Sequence, residues 1–110
     1  MAKRQDLVQA WTEWLGDDWF AYAGFRSRPD HLPYGLYLEI PRPPIMADDQ
    51  QWIKIRRFVF RLVTSEKDWA LEDKAESIFD ELGLPYQKVT DEPVSDEKDH
   101  MVEWEVEVIG

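Results

Sequence analysis

The chain has 110 residues, a common length for one domain, and 44% of them are hydrophobic, which excludes a wholly disordered protein. The formal net charge of −10 disfavours binding of duplex nucleic acid through phosphate contacts. Cysteine is absent, which excludes disulfides and thiolate zinc sites, and no apolar run is long enough to span a membrane. We therefore expect a single cytoplasmic domain over residues 1–110.

The first 40 residues predict one helix followed by two strands. Apolar residues recur at helical spacing before a natural stop at Gly16. They are Leu7, Val8, Trp11, Trp14 and Leu15. Strands are predicted at 19–26 and 34–40, with a connection at 27–33 between them. Four residues of the second strand share one face: Tyr34, Leu36, Leu38 and Ile40.

The next segment, residues 41–51, reads as a long loop. Three prolines within residues 41–44 cannot continue a central strand, because proline donates no ladder hydrogen bond. The loop carries Ile45 and Met46 with little nearby to bury them, and long ordered loops are often functional. We therefore interpret Ile45, Met46, Asp48 and Asp49 as a partner-binding loop. The alternative is that its apolar residues fold back onto the domain.

Residues 52–64 predict the longest strand. Its alternation changes phase between Ile53 and Phe58, which predicts a β-bulge near Arg56 and Arg57. Ser65 is the expected N-cap of a helix that ends at Gly83. The predicted buried stripe of this helix is Leu71, Ala75, Ile78, Phe79 and Leu82.

The C-terminal residues predict a short irregular strand at 85–94, an acidic turn at 95–99 and a strand at 101–109. The last strand points its apolar residues one way and its glutamates the other. The apolar set is Val102, Trp104, Val106 and Val108, and the acidic set is Glu103, Glu105 and Glu107. The predicted fold class is α+β, a mainly antiparallel sheet of four to five strands with two helices on one face. The expected order is helix, three strands, helix and two strands.

No motif for catalysis, metal binding or phosphate binding occurs in the sequence. His31 and His100 lie outside metal-ligand spacing and are expected at the surface. The acidic run from Asp91 to Asp99 is interpreted as a solvated turn, since the spacing and glycine of an EF-hand are missing. It comprises Asp91, Glu92, Asp96, Glu97 and Asp99. The sequence therefore predicts a protein without enzymatic activity, metal or cofactor, whose work is binding to other proteins.

A basic strip interrupts this acidic chain at Lys54, Arg56, Arg57 and Arg61. The pattern favours ion pairs of Arg57 and Arg61 across neighbouring strands with the glutamates of the last strand. The alternative is that the strip meets an acidic partner surface, or DNA passing nearby.

Several segments in order resemble a known family. They are Pro33-Tyr34-Gly35-Leu36-Tyr37, Ala47-Asp48-Asp49, the run from Phe58 to Asp68, a helix with Glu72 and Glu76, and the closing strand from Met101 to Val106. The order is similar to that of the tail-terminator (tail-completion) and neighbouring head–tail joining proteins of long-tailed bacteriophages and prophages. The similarity covers residues 11–109 and lies in the pattern rather than in one invariant motif.

The resemblance implies an α+β subunit that assembles with itself as a ring, commonly a hexamer, on the finished tail tube. The ring stops addition of tail-tube protein and contacts the head connector or neck protein, without cofactor. It implies assembly in the host cytoplasm and a final place at the virion head–tail junction. In such a ring we expect ion pairs between subunits through Arg57 and Arg61 and the facing Glu103, Glu105 and Glu107.

Two other functions stay open at the level of the sequence. One is an acidic inhibitor or DNA mimic that binds a basic nucleic-acid enzyme, supported by the net charge of −10. The other is a small-ligand-binding α+β domain with a pocket lined by tryptophan or tyrosine.

Overall fold

A computed structural model describes residues 3–25, 29, 31–41, 45–46, 52–53, 55–94 and 99–109. Its helices are α1 (Arg4–Leu15) and α2 (Trp69–Glu81), with a short 3-10 turn at Asp17–Trp19. Its strands are β1 (Phe20–Tyr22), β2 (Tyr34–Ile40), β3 (Ile45–Met46), β4 (Trp52–Ile53), β5 (Ile55–Thr64), β6 (Tyr86–Pro93) and β7 (His100–Ile109). Neither α1 nor α2, the α-helices of the described ranges, is long and apolar enough to cross a membrane.

Five strands form the main sheet in the order β1-β2-β5-β7-β6. The pairs β2–β5, β5–β7 and β7–β6 are antiparallel, and β1 joins the edge parallel to β2. A second, two-stranded sheet contains β3 and β4. The predicted α+β class, the mainly antiparallel sheet and the general order of elements are confirmed.

The first strand is shorter than predicted, at Phe20–Tyr22 instead of residues 19–26. Two left-handed residues follow it, Ala23 with a φ of 63° and Gly24 with a φ of 123°. Because strands need extended backbone, the chain leaves the sheet there.

Helix α2 begins at a different cap from the predicted Ser65. Glu66 has a φ of 135°, so the backbone is not helical immediately after Ser65. The N-cap is Asp68, whose side chain accepts a hydrogen bond from the Leu71 backbone N–H at 3.1 Å. The helix ends at Glu81, and Gly83 follows with a φ of 68°, which confirms the predicted stop.

The predicted bulge near Arg56 and Arg57 is wrong. The β5–β7 register runs without interruption from Ile55 to Thr64. Ile55 and Phe58 lie on different faces of the sheet. Apolar residues therefore occur on both faces of β5, which explains the change of phase in the hydrophobic alternation. The shift of register lies in β6, between Lys88 and Thr90, in the strand that was predicted to be irregular.

Both helices cover the same face of the main sheet, and Trp11 lies at the centre of that core. Its indole ring lies 5.1 Å from Phe60, 5.9 Å from Phe79 and 6.1 Å from Trp104, centroid to centroid. The indole N–H of Trp104 donates to Glu76 Oε2 at 3.0 Å, so this buried polar group is satisfied. Trp11 and Trp104 are fully buried, as expected, whereas Trp69 is 68% exposed.

Gly35 allows the end of α1 to approach β2 closely. A Cβ atom at this position would lie 2.8 Å from Leu15 Cδ1 and 3.1 Å from the Arg61 backbone oxygen. Gly35 is therefore required by packing rather than by an unusual backbone angle.

Replacing Trp11 by alanine removes the side chain at the centre of the core. We expect Trp11→Ala to lower the free energy of unfolding by about 3–5 kcal/mol, because it deletes buried aromatic area and leaves a cavity. Urea unfolding followed by far-ultraviolet circular dichroism measures this. The control is the exposed Trp69, where Trp69→Ala should cost less than about 1 kcal/mol. Equal losses in the two variants would contradict the placement of Trp11.

Candidate functional site

The face of the main sheet opposite the helices, here called the open face, collects the sequence-predicted residues of three strands. Strand pairing aligns Leu36, Arg61 and Glu103 in one row and Ile40, Arg57 and Glu107 in another. Side chains alternate across a strand, so the residues two positions away share this face. Besides these rows the open face therefore contains Tyr34, Leu38, Ile55, Val59, Val63, Met101 and Glu105.

Arginine and glutamate side chains pair across β5 and β7 on the open face. Arg57 Nη2 donates to Glu107 Oε1 at 2.6 Å, and Arg57 Nη1 lies 3.8 Å from Glu105 Oε2. Arg61 donates from Nε and from Nη2 to Glu103 Oε2, each at 2.9 Å. These cross-strand pairs within one chain confirm the interpretation that the sequence pattern favoured. Their role between subunits stays a prediction.

The arginine on the other side of β5 is also paired. Arg56 Nη1 lies 3.7 Å from Glu39 Oε1, and both side chains are more than a third exposed. Such a pair contributes little stability. Lys54, the remaining member of the basic strip, lies outside the described residues.

Apolar side chains accompany the charged rows on the open face. Leu36 and Val63 are buried although the two described helices pack on the other face of the sheet. The chain that follows β1 also packs on this face, because the ring of Phe25 lies 5.8 Å from the ring of Tyr34. Further along the strands, four aliphatic residues are half-buried, and we call them the aliphatic strip. The strip comprises Leu38, Ile40, Ile55 and Val59.

Part of the predicted loop at 41–51 is a β-hairpin. Ile45 pairs with Ile53 and Met46 with Trp52, so Ile45 and Met46 lie in a strand rather than in irregular chain. This β3–β4 hairpin belongs to a sheet separate from the main one. Asp48 and Asp49 lie outside the described residues, and the partner-binding role of this segment stays a prediction.

A cluster of charged side chains, which the sequence reading missed, joins α2 to β6. Glu72, in the first turn of α2, is only 3% exposed. Its Oε1 accepts from Lys67 Nζ at 2.8 Å and from Lys88 Nζ at 2.9 Å, while Oε2 has no hydrogen-bond partner in the described ranges. Lys67 also donates to Asp91 Oδ2 at 2.7 Å, and His100 Nε2 contacts Asp91 Oδ1. These five residues form the Glu72 cluster.

Three members of the Glu72 cluster, Asp91, Lys67 and Lys88, have pKa values shifted towards their ionised forms. Hydrogen bonds from Lys67 and then His100 lower the pKa of Asp91 from 3.8 to about 2. Burial of the Lys67 ammonium opposes its charge, but hydrogen bonds to Asp91 and Glu72 outweigh burial and raise the pKa of Lys67. The pKa of Lys88 is raised in the same way, with burial outweighed mainly by the hydrogen bond to Glu72.

The acidic run was predicted as a solvated turn, and this is wrong for two of its members. Asp91 lies in β6 with its carboxylate in the Glu72 cluster, and Asp99 is 8% exposed. Glu92 is exposed as expected, while Asp96 and Glu97 lie outside the described residues. Asp91 lies within the strand predicted at 85–94, and its carboxylate is not merely solvated because Lys67 and His100 contact it.

The two histidines differ from each other. His31 is exposed and stacks on Trp19 at a centroid distance of 4.4 Å. His100 is only 14% exposed in its side chain and contacts Asp91, so its predicted surface position is wrong. Within the described ranges, no group of three or more histidine or acidic side chains is arranged to hold a metal ion.

The chain matches no protein-family model and no curated protein. The resemblance to phage tail terminators therefore rests on the residue pattern given above and stays a hypothesis.

Neutralising Glu72 should weaken the fold. Glu72→Gln keeps the shape but removes the carboxylate that both ammonium groups contact, and we expect a loss of about 1.5–3 kcal/mol in unfolding free energy. The control is Glu81→Gln at the exposed end of the same helix, expected to stay within about 0.5 kcal/mol of the unchanged protein. Urea unfolding at neutral pH measures both, and a Glu72→Gln loss no larger than that of the control would refute the cluster's role.

Acidification should also weaken the fold through Asp91. Its pKa is lower in the folded chain than in the unfolded chain, so its stabilisation is present above the ordinary value of 3.8 and is lost as pH falls to about 2. Because Asp91 is partly exposed, we expect no more than about 1 kcal/mol. Urea unfolding between about pH 5 and pH 2 should show a steeper decline for the unchanged protein than for Asp91→Asn. Parallel curves would contradict the assignment.

Proposed function

We propose that this chain is a structural protein of a long-tailed phage or prophage, which caps the tail tube and joins tail to head by assembling as a ring. The fold is compatible with this proposal because four of the five family-like segments lie on, or lead into, helices and strands of the α+β fold. The Pro-Tyr segment leads into β2, the run from Phe58 begins in β5, Glu72 and Glu76 lie on α2, and the closing segment is β7.

The observation that carries the proposal is the β3–β4 hairpin. All four residues of its strands are apolar, and they pair with each other rather than with the main sheet. An isolated two-stranded hairpin is marginally stable in water and gains stability when it packs against another surface. A ring subunit needs such a contact element, because it must bind neighbours and the tube end.

The two edges of the main sheet suit head-to-tail contacts, in which two different patches of the same chain meet. Tyr22 on the β1 edge is 55% exposed, and Val89 on the β6 edge is 44% exposed. Strand β1 has three residues and β6 contains a register shift, and both features discourage indiscriminate edge pairing. Contacts through side chains are therefore favoured over extension of the sheet from one copy to the next.

The proposed partners are other copies of the chain, commonly six in a ring, the tail-tube protein, and the head connector or neck protein. Assembly takes place in the host cytoplasm, and the ring remains at the head–tail junction of the virion. The role requires neither an enzymatic reaction nor a cofactor.

The two alternative functions receive less support from the geometry. A DNA mimic presents rows of carboxylates to a basic partner, but Glu103, Glu105 and Glu107 contact arginines of their own chain. A small-ligand domain requires a pocket of about 300–1,000 Å³. Three open cavities lined by described residues have volumes of about 230, 210 and 290 Å³, at or below the lower end of that range.

Tail length in a phage lysate tests the proposed function. Disruption of the gene should yield overlong, headless tail tubes under the electron microscope, because nothing stops addition of tube subunits. Supplying the intact chain from a plasmid should restore tails of normal length attached to heads. Normal particles in the disrupted lysate would refute the proposal.

Deletion of residues 45–49 tests the hairpin within the same system. The shortened chain should keep its cooperative unfolding, since β3 and β4 lie outside the main sheet, but should fail to restore normal tails. A shortened chain that still caps tails would remove the hairpin from the proposed mechanism while leaving the function itself standing.

A further inference from the structure

We propose that the exposed ring of Trp69 and the cavity beside it form a docking surface for a basic segment of a partner protein. The segment offers an arginine or lysine side chain flanked by apolar residues. The proposal goes beyond the ring assembly described above and does not depend on it. We call this region the Trp69 surface, and it comprises Trp69 with the cavity residues Leu32, Pro33, Leu71, Glu66 and Asp68.

The exposure of Trp69 has no explanation in the packing of the fold. Of the large hydrophobic side chains that the structure describes, it is the most exposed, at 68%. It is the first residue of α2 and lies outside the buried stripe by which this helix packs on the sheet. Tryptophan is among the residues most enriched at the energetic centres of protein interfaces. An exposed indole that contributes nothing to the core is therefore a candidate anchor for a partner.

The indole ring is held in place by the Glu72 cluster. Lys67 Nζ lies 5.4 Å from the centroid of the Trp69 ring, over one of its faces. The same ammonium group donates to Glu72 Oε1 at 2.8 Å and to Asp91 Oδ2 at 2.7 Å, which fixes its position. A side chain that is already ordered loses less conformational entropy on binding. The part of the ring that Lys67 does not cover faces solvent and is ready for contact.

The cavity beside Trp69 has apolar walls and a volume of about 290 Å³. It lies at the connection between β5 and α2, so that Asp68 and Leu71, close to Trp69 in sequence, both line it. Its apolar walls come from Leu32, Pro33 and Leu71, which are all half-buried. A cavity of this size suits one or two side chains of a protein segment better than a drug-sized molecule.

Two carboxylates give the cavity a negative charge. Glu66 and Asp68 line it, and within the described ranges neither of them forms an ion pair. Asp68 also accepts the hydrogen bond from the Leu71 N–H that caps α2, which leaves its other carboxylate oxygen to a ligand. The charge of Lys67 is already compensated by the two carboxylates that hold it.

These charges select a basic occupant. A guanidinium or ammonium group is attracted both to an aromatic ring and to carboxylates, and arginine is the side chain that stacks and pairs best at once. A second copy of this chain is a poor occupant, because each copy carries a net charge of −10 and like-charged surfaces repel. A partner with a basic segment is attracted by the same net charge.

Nuclear magnetic resonance of the full chain labelled with ¹⁵N tests the proposal. The probe is a synthetic peptide of arginine, leucine and glycine, and the control probe has citrulline, which is uncharged, in place of each arginine. The indole N–H signal of Trp69 is identified as the one missing from Trp69→Ala. We expect the arginine peptide to shift this signal in a saturable way, and the citrulline peptide to shift it much less.

Matched variants separate the Trp69 surface from general attraction to an acidic protein. Trp69→Ala should weaken binding of the arginine peptide by about tenfold or more, whereas Tyr22→Ala, at another exposed aromatic residue, should leave it unchanged. Glu66→Gln should weaken binding more than Glu81→Gln, although both variants change the net charge by the same amount. Each variant alters an exposed side chain, so the fold should be retained and circular dichroism checks this.

Three results would overturn the proposal. The first is that the arginine peptide produces no saturable shift of the Trp69 signal. The second is that the two glutamine variants weaken binding equally, which would reduce the effect to net charge. The third is self-association in sedimentation velocity that Trp69→Ala abolishes, which would assign this surface to a second copy. Normal particles after gene disruption would refute the tail function and leave these binding results unaffected.

Discussion

Both described helices pack on one face of the five-stranded sheet, and this packing determines how the other face has to be stabilised. Trp11 of α1 and Phe79 of α2 meet around Phe60 and Trp104, so the apolar residues of both helices are used on that side. The opposite face has to be stabilised by other means, namely cross-strand ion pairs and aliphatic residues. A surface that combines these two features, next to a separate apolar hairpin, is suited to contact with other protein chains.

Electrostatics constrain this acidic chain in two places. In the Glu72 cluster, Lys67 and Lys88 compensate a carboxylate that is almost fully buried, and they hold the beginning of α2 against β6. On the open face, Arg57 and Arg61 likewise compensate glutamate carboxylates, which are more exposed to solvent than that of Glu72. Much of the basic content of the described chain is thus used within the fold, and the remaining surface is predominantly acidic. A partner that binds that remaining surface would be expected to be basic.

The sequence predicted the structure best in segments where a single hydrophobic periodicity dominates. The alternation of β7, the stripes of α1 and α2, and the cross-strand pairs of Arg57 and Arg61 were all readable from spacing. The Glu72 cluster was not, because Glu72 and Lys88 are 16 residues apart and meet only once β6 is the edge strand beside α2. The N-cap was misplaced because Ser65 and Asp68 are both good caps, and the backbone at Glu66 decides between them. The bulge was misplaced since both faces of β5 carry apolar residues.

The central claim is that the chain is a part of the virion, located where tail and head join. Immunogold electron microscopy of particles induced from the source strain, with antibody to this chain, tests that claim most directly. We expect gold at the head–tail junction of intact particles and at the upper end of free tails. Label on free tails would further distinguish a tail terminator from a neck protein that stays with the head. Particles and free tails without label, while the antibody binds the folded protein, would contradict the claim.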